Sequence, residues 1–344
     1  MKHTKIVLIT IAILIFSLSG TVFAQDDESY TIGVFVLNSQ FAAGVGPFLN
    51  EMAELGYIEG DVEEFLSELT EFRYAEQDGF AVIFPPPIDG DMESIPEVVQ
   101  SLLDAQVDVI FTPTQADAAA VMEFNDEIPI VFAVGADPIG IGIVESLNEP
   151  GGNVTGIASL SYQGRRMQIL LEIDPTIERV LYPYNPEKTA AVNGLQEIEE
   201  VAESLGIEIV TQEFVDLAGL LEVIQNTPED IDSVFLSTDL EHFETLAFVN
   251  WIGVSTRLKV GVSLPAYAAV PGFLMGYGPN LDANGILAAH QVDEILRGAD
   301  PAIMPVQNSE YGLMVSLIAA EALDIDIPRS ILRQAEIIMR ANDE

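Results

Sequence analysis

Small polar side chains stand directly after a series of apolar runs in this chain. Thr112 and Thr114 follow VDVIF (107–111), and Asp137 and Pro138 follow IPIVFAV (128–134). Asn38 and Ser39 follow TIGVFVL (31–37), Tyr184 and Asn185 follow RVLY (179–182), and Thr238 and Asp239 follow SVFLS (233–237). Ser263 closes KVGVS (259–263), and Tyr277 comes just after GFLM (272–275). Hydroxyls beside a helix start suit a carboxylate, and an aspartate without a basic partner suits an ammonium. The chemistry this set offers is noncovalent capture: Thr112 and Thr114 on an anionic group, Asp239 on an ammonium, and Tyr184 and Tyr277 against a ring. Each position reads equally well as a helix cap, where Thr and Asp are preferred, or, for the tyrosines, as core. The case rests on several of them falling at equivalent places.

Bond-making chemistry finds little support. The stretch VFAVGADPIGIGIVESL (131–147) has glycines between an apolar run and a helix-like stretch, the setting of a phosphate cradle. It lacks the Gly-x-Gly-x-x-Gly spacing, belongs to the third strand unit rather than the first, and would hold Asp137 against any phosphate. There is no Gly-x-x-x-x-Gly-Lys-Ser/Thr loop and no Gly-x-Ser-x-Gly elbow. His242 and His290 stand alone, without a second His or Cys at ligand spacing, so neither a zinc site nor a His-dependent triad is indicated. Carboxylate pairs are too common here to signal a glycosidase. The expectation is a chain with no catalytic residues, no metal and no cofactor.

The elements that must carry these residues alternate. Runs at Thr31–Leu37, Val107–Phe111, Ile128–Val134, Arg179–Tyr182, Glu208–Phe214, Ser233–Leu236, Lys259–Ser263 and Gly272–Met275 are β-branched and mostly continuous, as strands buried on both faces are. Between them lie helical stripes: Phe48, Met52, Leu55, Ile58; then Leu195, Ile198, Val201, Ala202, Leu205, stopped by Gly206; then Ile286, Ala289, Val292, Ile295, Leu296, stopped at Arg297–Gly298. Strand–helix alternation predicts an α/β protein of parallel sheets covered by helices, and strand ends of that kind line a ligand crevice. The alternation pauses at PGGNVTGIASL (150–160), which predicts a boundary between two lobes. Asp61–Asp91, with three prolines after FAVIF, reads either as an extra hairpin or as a surface loop.

Composition narrows the setting. The chain has 344 residues, enough for two ordinary domains, and 49% are apolar, enough for real cores. Lys2 and Lys5, the apolar run Ile6–Leu18 and TVFA (21–24) have the form of an export signal over residues 1–24, with cleavage after Ala24. The run is too short to span a bilayer comfortably. There is no cysteine, hence no disulfide and no acylated lipoprotein cysteine. Fifty-five acidic residues against 13 basic ones give a net charge of −42, and losing Lys2 and Lys5 makes it more negative. Such a field repels nucleic acid and anionic lipid. The acids are scattered at helical spacing, which reads as a solvated acidic surface rather than a calcium loop.

The stretch VDVIFTPTQADAAAVMEFNDEIPIVFAVGADPIGIGIVESLNEPGGNVTGIASL resembles the central motif of the ABC-transporter substrate-binding family whose better-known members bind tryptophan- and tyrosine-type amino acids. RVLYPYNPEKTAAVNGLQEIEEVAESLGIEI, GYGPNLDANGILAAHQVDEILRGADPAIMPVQ and AAEALDIDIPRSILRQAEIIM are similar to its later segments, so the resemblance spans nearly all of Thr31–Met339. It implies a type I periplasmic-binding-protein fold: two Rossmann-like doubly wound lobes joined by a three-crossing hinge, with 30–155 plus 271–299 as lobe one and 156–270 plus 300–344 as lobe two. It also implies that Thr112, Thr114 and Asp137 face Thr238 and Asp239 across a cleft. The expected function is a periplasmic or extracellular, monomeric receptor that captures a small solute by lobe closure and hands it to an ABC permease. The alternatives are a ligand sensor docking on a membrane kinase or chemoreceptor, and a secreted α/β enzyme. Two departures from the family stand out, the long Asp61–Asp91 segment and the charge.

Overall fold

The computed structural model describes residues 29–67, 74–77, 79–160, 162–236, 259–262 and 273–340. Among these, the strands form two sheets of seven. From edge to edge the first runs β12 (Gln307–Asn308), β6 (Val154–Ala158), β5 (Ile130–Gly135), β4 (Val109–Thr114), β1 (Tyr30–Val34), β3 (Phe80–Ile83) and β2 (Tyr74–Gln77). The second runs β14 (Ile337–Met339), β13 (Tyr311–Ser316), β11 (Phe273–Pro279), β10 (Lys259–Val262), β9 (Ser233–Phe235), β7 (Arg179–Tyr184) and β8 (Glu208–Glu213). All pairings are parallel except β2 with β3 and β11 with β13. Each sheet therefore has the same five-strand heart, β3-β1-β4-β5-β6 and β8-β7-β9-β10-β11, in which the strand order reverses beside the first strand.

Continuous apolar strands need cover on both faces, and the first sheet has it. On one face Val34, Phe111 and Val131 pack with Phe48 and Met52 of α1 (Val45–Glu54) and Ala289 and Val292 of α8 (Leu281–Leu296). Phe48 and Phe111 stack with centroids 3.9 Å apart. On the other, Ile110, Ile130 and Phe132 pack with Val99 and Leu102 of α3 (Ile95–Asp104) and Val121 of α4 (Gln115–Met122). In the second sheet, Val180, Phe235, Met275 and Val315 meet Met167 and Leu170 of α5 (Gln163–Ile173) and Ile198 of α6 (Thr189–Leu205). Gly206 ends α6 with φ 75°, the left-handed cap that glycine adopts without a Cβ penalty. The remaining α-helices among the described residues are α2 (Val62–Ser67), α7 (Leu217–Gln225), α9 (Leu317–Ala322) and α10 (Arg329–Leu332).

Three expectations are amended. Asp61–Asp91 holds α2 and the β2–β3 hairpin, and β3 is a full member of the sheet, paired in parallel with β1 (Ile32 beside Val82). Pro85–Pro87 follow β3, because proline has no N–H for the ladder. The stretch after Gly135 is a chain of turns rather than a helix: Ile141 N–H donates to Asp137 O, and the N–H groups of Ile143 and Val144 both donate to Pro138 O. Its glycines favour turns over helix. Finally, the chain changes sheet near Leu160, between Pro279 and Leu281, and between Asn308 and Tyr311. Phe273–Pro279 thus belongs to the second sheet, where the expected division put Pro271–Ala299 whole into lobe one. The crossing comes one strand later, after Pro279.

Candidate functional site

The three crossings share a geometry. The first leaves β6 at its carboxyl end and enters α5, whose far end leads to the start of β7. The second leaves the carboxyl end of β11 and enters α8. The third leaves β12, which is parallel to β6, and enters β13, which is antiparallel to β11. Each therefore ties the carboxyl edge of one sheet to that of the other. The crossings are laced together: Asn280 N–H donates to Glu310 O at 2.9 Å, Ser309 N–H to Ala158 O at 2.8 Å, and the Tyr311 hydroxyl to Leu160 O at 2.8 Å. Ligands of open parallel sheets sit outside these edges, at the place where strand order reverses. That place lies between β1 and β4 in the first sheet and between β7 and β9 in the second.

At the first sheet's edge the polar groups are bound into one another. Thr114 caps α4: its hydroxyl accepts from Asp117 N–H, and Asp117 in turn accepts from the Thr114 N–H (2.8 Å) and hydroxyl (2.6 Å). The other Asp117 oxygen accepts Leu37 N–H at 2.6 Å, joining the exits of β1 and β4. Burial pushes the Asp117 carboxyl up from its ordinary value, against the hydrogen bonds from Thr114 and Leu37 that favour its charge. Thr112 is fully buried, and its hydroxyl donates to Thr114 O at 3.3 Å. Gln115 accepts Asp137 N–H at 3.0 Å, tying the α4 start to the exit of β5. Asp137 is half-buried and closes its own turn by accepting Gly140 N–H at 2.8 Å. A Cβ at Gly140 would come within 2.0 Å of that carboxylate. Pro138 is buried beneath the turn, with Ile139 and Ile141 exposed on it. Asn38 is half-buried and Ser39 exposed, with Ser39 N–H on Asp89.

The structure thus links Thr112, Thr114 and Asp137 through Asp117 and Gln115, two residues that the sequence reading passed over. Thr114-Gln-Ala-Asp117 does have capping-box spacing, which is the signal that could have found the aspartate.

At the second sheet's edge, Asn185 is buried and accepts Glu187 N–H at 2.9 Å. Tyr184 is tied to the outer strand, its hydroxyl donating to Glu213 at 3.0 Å, which pushes its ionisation up. Thr238, Asp239 and Ser263 lie outside the described residues. A residue with no counterpart among the expected ones stands at the end of β9. Arg166, in the first turn of α5, is fully buried; its guanidinium lies 3.8 Å from the Phe235 ring centre and donates to Leu236 O at the end of β9. Glu197 of α6 accepts Gln163 N–H at 3.0 Å and so caps α5. Burial pushes that carboxyl up, while the amides of Gln163 and Gly164 and then the Arg166 charge pull it down.

Beside the hinge, Tyr277 stacks on Tyr311 at 5.9 Å, and Tyr162 lies 5.5 Å from Tyr311. Burial first, then the neighbouring Tyr277 phenol, raises the Tyr311 ionisation to about 12. Burial raises that of Tyr277 too. Among the described residues no group of three His, Cys, Asp or Glu could hold a metal ion, and no helix is long and apolar enough to cross a membrane. His290 pairs with Glu51 at 3.1 Å between α8 and α1.

Comparison with known proteins follows the same lines. Residues 86–338 match the family described as ABC transporter substrate binding protein. The chain is 19% identical over 278 residues to a tyrosine-binding protein of Clostridioides difficile (strain R20291), covering 80% of each. It superposes with TM-score 0.75 at 19% identity on an ABC domain from Streptococcus pneumonia in complex with L-Trp, covering 91% of this chain and all of that one. It also superposes with TM-score 0.69 at 19% identity on the ligand-free, open form of a substrate binding protein with adhesive properties from Clostridium difficile, covering 91% and 99%.

Proposed function

The chain belongs to the ABC transporter substrate binding protein family, with the two-lobed type I periplasmic-binding-protein fold, and we propose that it is the extracytoplasmic receptor of an importer. In this reading it takes up a small organic solute in the cleft between its lobes, closes about the hinge, and delivers the solute unaltered to a membrane permease. One observation carries it: all three crossings join carboxyl edge to carboxyl edge, so the two ligand-binding edges are opposed across a narrow, hydrogen-bonded hinge. An aromatic amino acid is the favoured solute, supported by the tyrosine-binding relative and the L-Trp complex. Thr114 and the α4 start would face its carboxylate side, and Asp239 its ammonium. No covalent step is needed. Export by removal of residues 1–24 and action as a monomer complete the proposal.

Thermal melting of the chain lacking residues 1–24, against amino acids, nucleosides and small organics, tests this directly. A true solute at about 100 times its Kd adds about 2.7 kcal/mol and raises the midpoint by several degrees. Asp239→Ala should abolish the shift given by the best amino acid. An unchanged shift removes Asp239 from the site, and a silent panel removes the receptor reading.

A further inference from the structure

A fully buried arginine in so acidic a protein calls for an explanation. Desolvating a guanidinium costs more than an apolar side chain of the same size would, unless its contacts serve something an apolar side chain cannot. Two contacts of the Arg166 guanidinium lie at one place, while its charge also acts on Glu197 of α6. Arg166 donates to Leu236 O, and its guanidinium lies over the face of Phe235, the last residue of β9. β9 flanks the reversal point of the second sheet, where the ligand crevice is expected. α5 is itself fixed at this edge: it follows the first crossing directly, and Glu197 caps it at Gln163 N–H.

We propose that Arg166 is a positioning residue of the cleft: anchored on α5, it grips the end of β9 and fixes the place of Phe235 and Leu236 at the sheet's edge. The guanidinium suits this task because its planar face stacks on a ring while its edge donates in the plane. A lysine can reach the carbonyl but lacks the stacking face, and a methionine offers bulk without a donor. Arg166 is covered completely, so it acts through β9 and not on the solute. The inference rests on the reading that this edge forms half of a solute site.

The test separates the two claims. Hydrogen exchange is followed in the ligand-free protein for Arg166→Met and Arg166→Lys, and L-tyrosine affinity is measured by calorimetry on the same samples. Arg166→Met should speed exchange at the amides of residues 234–236 at least tenfold, leave β5 and α8 unchanged, and weaken L-tyrosine at least tenfold. Arg166→Lys should recover the exchange in part and bind within about threefold of wild type. Exchange that rises equally through β7, β9 and β13 would make Arg166 a general support of its lobe and overturn the proposal. So would an L-tyrosine affinity within twofold of wild type in Arg166→Met. If the wild-type protein does not bind L-tyrosine, the proposed solute class is at fault, and exchange alone decides the role of Arg166. If the methionine variant does not fold, the lysine variant carries both arms: it must show a local rise at 234–236, and a wild-type pattern there overturns the proposal.

Discussion

Asp117 shows how a single side chain can hold a sheet edge together. It gathers Leu37 N–H, Thr114 N–H and the Thr114 hydroxyl, so three donors from two strand exits depend on one buried carboxylate. Thr114→Val removes one donor and the cap, at a cost of about 1–2 kcal/mol. Asp117→Ala strands two backbone amides as well, and should cost about 2–4 kcal/mol in urea unfolding. Equal losses in the two variants would show that Asp117 is only the partner of the cap. Tyr311 gives a second residue-scale outcome. Its folded ionisation at about 12 lies above the ordinary 10.0, so the native state keeps a proton that the unfolded chain releases. Stability from this group is complete below pH 10 and is lost as the pH rises through about 12. The advantage of wild type over Tyr311→Phe should therefore shrink between pH 10 and 12, as read from urea midpoints; a constant difference would detach the phenol from the fold's pH response. Much of this was legible in the residue types, since threonines and an aspartate after strands suggested caps or contacts. That Thr114 is a cap, and that Asp117 rather than Asp137 is the buried hub, depends on burial, which neighbouring strands decide.

At the scale of elements, the β5–β6 pair shapes the edge. Their register shifts between Phe132 and Gly135, an irregularity that re-aims the chain leading to Asp137. Gly156 lies opposite, and a Cβ there would come within 2.2 Å of Phe132 O. Gly156→Ala should cost several kcal/mol in thermal or urea unfolding and disturb the 135–138 turn, because a backbone carbonyl has nowhere to go. A fully stable variant would mean that the pair can slide. The glycine was visible in PGGNVTGIASL, yet the segment reads as a boundary from its turn residues, while its VTGIA core is a buried strand. The same limit hid β3: FAVIF is a plain apolar run, and only the parallel seat beside β1 separates a sheet member from a surface hairpin. The longer periodic helices α1, α6 and α8 were legible because their apolar stripes are set by local spacing.

At the scale of the whole molecule, charge and connectivity matter most. A net charge of −42 stores self-repulsion that salt screens. Several of the few cations already hold acids in place, as Arg179 does with Glu208 and Asp230 and Arg297 does with Asp293. The melting temperature should rise by several degrees between about 10 mM and 1 M sodium chloride, a range over which the Debye length falls from about 30 Å to 3 Å. A flat response would mean that the acids are spaced too widely to feel one another. The first sheet, meanwhile, is sewn from two distant stretches of chain: its edge strand β12 and its covering helix α8 come from beyond residue 280. A polypeptide emerging from the ribosome amino end first has α8 only once residue 296 is out and β12 only once residue 308 is. Until residue 296 has emerged, Phe48, Leu49 and Met52 have no α8 to close over them, so one face of the first sheet waits for its cover while strands β7 to β11 of the second sheet are being made.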